Sequence, residues 1–133
     1  MNILKPASIS ALLSLICVNS ALAVVPPKCP GASDIQAQED TNTIQCTGTD
    51  CTFDMEKHRF DTDLYWHFFM KLTAESAADA KTKASDALKS LAYQSGPTEE
   101  TSDLYFCRYT NSYGFESIAA YSNDDKLSLS ISK

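Results

Sequence analysis

The sequence predicts an α+β domain: a mainly antiparallel sheet with one long helix packed on one face, stapled by disulfides. Three observations predict it. Residues 63–72 alternate between uniformly apolar and mixed side chains, as a half-buried strand does. Residues 74–93 carry an alanine-rich stripe at helical spacing. Four cysteines remain once an amino-terminal export signal is set aside. One helix among strand-like segments joined by short turns fits a helix laid on one face of an antiparallel sheet.

The export signal is read over residues 1–23. Lys5 supplies the positive start, Ile9 to Val18 the apolar stretch, and Ala21-Leu22-Ala23 the small residues at the cleavage site. The apolar stretch is too short for a membrane span, so no membrane insertion is expected after its removal. Ile16 before Cys17 is too bulky for a lipoprotein signal. The expected location is periplasmic or extracellular, and residues 24–133 form a single secreted domain. Loss of Lys5 with the signal takes the net charge from -6 to -7. So acidic a chain repels phosphate backbones and anionic membrane surfaces, which argues against nucleic acid as a partner. Cys29, Cys46, Cys51 and Cys107 stay behind. In an oxidising compartment they imply two disulfides, with three connectivities open.

Along the chain, Ser33 or Asp34 is placed to cap a short helix to about Gln38. Residues 43–47 and 52–57 are weaker strand candidates around the turn of residues 46–51. That turn is either a hairpin stapled by its own cysteines or a loop tied elsewhere. In the strong strand, Leu64, Trp66, Phe68, Met70 and Leu72 are expected on the core face. Tyr65, His67 and Phe69 then fall on the other face, toward solvent or a loop. Thr73 is expected to cap the helix, with Ala77, Ala80, Ala84, Ala87, Leu88 and Leu91 on its buried stripe and Gly96-Pro97 as its stop. Residues 98–102 read as a polar loop. Leu104 to Tyr109 and Phe115 to Tyr121 read as a hairpin around Asn111–Gly114. Leu127, Leu129 and Ile131, alternating with serines, suggest a final half-buried strand.

Four pieces of the chain carry a resemblance. They are C-P-G-A-S-D-I-Q-A near the start of the secreted domain and W-H-F-F-M-K-L before the helix. The others are A-A-D-A-K-T-K-A-S-D-A-L-K-S-L-A-Y-Q-S-G-P and Y-F-C-R-Y-T-N-S-Y-G-F. In these the chain resembles a family of small secreted proteins from vacuole-dwelling pathogenic bacteria, labelled hemin-binding proteins. The resemblance implies an exported α+β domain and, through the label, hemin as a ligand. It implies no catalytic motif. Cys29 and Cys107 fall inside matching pieces, whereas Cys46 and Cys51 bracket a turn where this sequence departs from the pattern. The expected pairs are therefore Cys29–Cys107 and Cys46–Cys51.

For heme, His67 is the first candidate axial ligand and Tyr65 the second, with Phe69 as an apolar wall on the same face. His58, between Lys57 and Arg59, is a fallback, but more simply a charged surface position. A zinc site of Cys46, Cys51 and His58 has loose spacing, and export favours disulfides. Four cysteines that pair off leave no thiol nucleophile, and no G-x-S-x-G element is present. The leading expectation is a non-enzymatic exported module binding a small-molecule ligand or a host or bacterial protein, with hemin as a candidate. The alternative is a small secreted hydrolase or an enzyme inhibitor.

Overall fold

The structure is a computed structural model that describes residues 27–122. The signal segment and the strand expected at Leu127–Ile131 lie outside the described residues. Among the described residues, the alternating and helical patterns of the sequence become eight elements. They are α1 (Ala32–Gln36), β1 (Asn42–Thr47), β2 (Asp50–Met55), β3 (His67–Thr73), α2 (Ala77–Lys89), β4 (Ala92–Thr101), β5 (Leu104–Thr110) and β6 (Glu116–Ser122). The six strands form one antiparallel sheet in the order β1-β2-β3-β6-β5-β4. The α+β class and the antiparallel sheet hold, but the helices are short.

The helix expected over about 74–93 runs only from Ala77 to Lys89. Ser76, not Thr73, caps it. Its backbone is extended, and its hydroxyl accepts from the Asp79 N–H at 3.1 Å. Asp79 also reaches back to accept the Glu75 N–H at 3.0 Å, one residue before the cap. That hydrogen bond, then one from Lys83, holds the Asp79 carboxyl below its ordinary value. Thr73 instead ends β3, and Ala74 continues into the core. Ala80, Ala84, Ala87 and Leu88 are buried as the stripe requires, whereas Ala77 is exposed. Leu91 is buried beyond the helix end.

Gly96-Pro97 does not stop the helix. It lies inside β4, joined by a cis peptide bond. Residues 98–101, expected as loop, complete that strand, and the β4–β5 turn passes through Asp103 in the left-handed region. β4 is exposed along most of its length, so it shows no alternation to read.

The core lies between α2 and the sheet. Phe53, Trp66, Phe68, Met70 and Leu72 join the helical alanines there. Trp66 just precedes β3, exchanging backbone hydrogen bonds with His58 at 2.8 and 3.0 Å. Both expected disulfides are present, Cys29–Cys107 and Cys46–Cys51. Beside the first, the buried Tyr109 phenol donates to the Pro30 carbonyl, and burial pushes its pKa up.

Two substitutions test this packing. Ala84→Leu should destabilise the fold by ~1–3 kcal/mol by overpacking the helix–sheet contact, read as a lowered melting temperature. Gly96 has φ +113°, and an added Cβ would meet the Phe106 carbonyl at 2.6 Å and Cys107 Cα at 2.9 Å. Gly96→Ala should therefore cost ~2–4 kcal/mol in denaturant unfolding. An unchanged midpoint would contradict this placement of β4.

Candidate functional site

Alternation along β3 sends His67 and Phe69 to the sheet face away from α2, as the sequence implied. Their surroundings differ from each other. Phe69 is 5% exposed and forms a second apolar cluster with Ile118 and Ala120, packed by Leu104 and Phe106 from β5. The expectation that this face points to solvent or a loop is thus corrected at Phe69. Its neighbours come from β5 and β6, which the pattern of β3 alone does not reveal.

His67 is half-buried, and its ring lies 5.7 Å from that of Phe69. Its Nε2 stands 3.0 Å from Asp54 Oδ1 on β2. Asp54 pairs in register with Phe69, so its side chain shares the face. Tyr65 lies before the strand, 55% exposed, with the Arg59 guanidinium 5.0 Å over its ring. The three residues expected to act together therefore occupy three environments: an exposed cation–π pair, a close contact with Asp54 and an apolar cluster. His58 is held locally: its Nδ1 accepts the Phe60 N–H at 2.8 Å. Cys46 and Cys51 are joined to each other, which takes both thiols away from zinc.

A groove of about 460 Å³ opens beside His67. Asp40, Thr43, Asp54, Glu56 and His67 supply polar groups to its lining. A larger hollow of about 710 Å³ lies at the other end of the same strands, lined by Thr47, Asp50, Lys71, Thr73 and Glu116 among others. It contains neither histidine nor tyrosine. Among the described residues, no group of three or more histidine, cysteine or acidic side chains is arranged to hold a metal ion.

Asp40, Asp54 and Glu56 were not singled out by sequence reasoning, although a signal was present. Residues 29–56 hold six acids, Asp34, Glu39, Asp40, Asp50, Asp54 and Glu56, and no lysine or arginine. The acids look scattered in the chain. The β1–β2 hairpin and the turn before it gather three of them at one groove. A concave site with this charge favours cationic groups and opposes anionic ones.

Comparison with family models, curated proteins and solved structures finds no match to this chain.

The burial of Phe69 makes a direct prediction. Phe69→Ala should destabilise the protein by ~3 kcal/mol, as for a core phenylalanine. Denaturant unfolding checks it. A loss below about 1 kcal/mol would mean that Phe69 is a surface residue available to a ligand.

Proposed function

We propose that this chain is an exported, non-enzymatic binding module whose recognition site is the acidic groove beside His67. The wall chemistry of that groove carries the reading: Asp40, Asp54 and Glu56 stand together with His67 around one concavity. Two disulfides in so short a chain suit an oxidising periplasmic or extracellular location. No described helix is long and apolar enough to cross a membrane.

The groove favours a positively charged partner group over hemin. A porphyrin brings two carboxylates, which the three groove acids repel, and the apolar wall it needs at Phe69 is closed. Hemin remains the second ligand, as the family resemblance implies, because His67 borders the groove with an imidazole. Its binding would require Nε2 to leave Asp54, or Nδ1 to serve as the axial ligand.

Hemin titration separates the two. We expect wild-type protein to give no more Soret shift than an unrelated acidic protein of similar size, and His67→Ala to behave identically. A saturable Soret shift lost in His67→Ala, with far-UV circular dichroism unchanged, would overturn the preference for a cationic partner and install hemin with His67 as axial ligand.

A further inference from the structure

The two edges of the sheet are built differently. β4 is a guarded edge. It carries Pro97, Glu99 and Glu100, and its pairing with β5 shifts register at three places. Proline, charge and irregular pairing are the devices that keep foreign strands off an edge. β1 has none of them. Its sequence, N-T-I-Q-C-T, contains no charge, no proline and no glycine, and its pairing with β2 is unbroken over six residue pairs.

The register also fixes where the backbone of β1 points. The hairpin closes through the two residues Gly48 and Thr49, so Thr47 and Asp50 form the hydrogen-bonded pair at its end. Alternation then makes Gln45–Thr52 and Thr43–Asp54 hydrogen-bonded pairs as well. The Glu56 N–H donating to the Thr41 carbonyl at 3.0 Å continues the same parity. Asn42, Ile44 and Cys46 therefore direct their N–H and C=O groups away from β2, toward the edge. Among the described residues, no strand lies beyond them. The Cys46–Cys51 disulfide ties the edge strand to its neighbour, so little order remains to be gained on docking.

We propose that the edge of β1 docks a basic, extended segment of a partner protein, which adds to the sheet as a further strand. This rests on the reading of the chain as a binding module and names the class of partner. Main-chain bonds to Asn42, Ile44 and Cys46 supply the attachment. Charge selects the partner. Asp40, Asp54 and Glu56 flank the Asn42 end, and Asp50 closes the hairpin end. Alternate side chains of the added strand stand beside Thr43 and Gln45, and long cationic ones there reach toward the groove acids. The bases nearest in sequence, Lys28 and Lys57, lie outside the acidic stretch. Lys71, opposite Thr52, is 3.8 Å from Glu116. The same negative charge opposes pairing of two copies of this chain edge to edge.

The test uses the oxidised exported form, ¹⁵N-labelled, and two ten-residue peptides. One alternates lysine with valine and the other glutamate with valine. The lysine peptide should bind at least tenfold tighter, more weakly as salt rises, and move the amide signals of Asn42, Ile44 and Cys46. Thr43 and Gln45 are exposed, so a Thr43→Lys/Gln45→Lys variant keeps the fold. It should lose at least tenfold in affinity for the lysine peptide. Equal binding of both peptides, or signal changes along β4, overturns the proposal. Changes confined to the groove around His67 also overturn it but leave the binding-module reading in place. A dimer joined through β1, seen by sedimentation, replaces the foreign segment with a second copy and overturns the stated occupant.

Discussion

A six-stranded sheet must be closed on one face by a helix of only three or four turns, and this constraint organises the molecule. The helix solves its part with small side chains. Ala80, Ala84 and Ala87 let it approach the sheet, while the volume of the core comes from Phe53, Trp66, Phe68 and Met70. Its contacts reach β1, β2 and β3. The β5–β4 side is met by the amino-terminal segment instead. Cys29 is bonded to Cys107, Pro30 accepts from Tyr109, and Gly96 leaves room for β4 to pass close by. α1 ties the two coverings together, because Gln36 Nε2 donates to the Leu88 carbonyl at 2.6 Å. The long-range disulfide thus acts where the helix does not. By limiting a 78-residue loop in the unfolded chain it adds ~4 kcal/mol in the chain-entropy account.

This division of labour leaves the face away from the helix, and the β1 edge, free of the duties of the core. The second cluster of Phe69, Ile118 and Ala120 closes the middle of that face. The polar features gather toward the β1 side: the Asp54–His67 pair, the acidic groove and the uncharged edge strand with its stapled hairpin. A rigid edge beside a concentrated negative field is suited to recognition by main-chain pairing, with charge setting the choice of partner.

Local periodicity made much of the fold legible. The phase of β3, the buried stripe of α2 and the β5–β6 hairpin each depend on residues close in sequence. What escaped depends on competition or on distant neighbours. Ser76 rather than Thr73 caps the helix, its hydroxyl accepting the Asp79 N–H while the Asp79 carboxylate accepts the N–H of the preceding Glu75. Thr98 to Thr101 read as a loop because an edge strand open on both faces need not alternate. Phe69 seemed free because its partners, Ile118 and Phe106, arrive from strands far along the chain. The groove was hidden for the same reason: Asp40 and His67 meet only after β1, β2 and β3 are in register. The residues chosen for a heme site were correctly placed on one face at His67 and Phe69, but their neighbours gave each a different environment.

The central claim is that β1 is an ordered strand whose outer backbone groups meet no strand among the described residues. Amide hydrogen exchange along β1 in the free protein measures this most directly. Thr47, Gln45 and Thr43 should exchange slowly, because their N–H groups are spent on β2. Ile44 and Cys46 should exchange orders of magnitude faster from the same strand. Uniform protection along all of β1 would show that its edge is already occupied and would contradict the account.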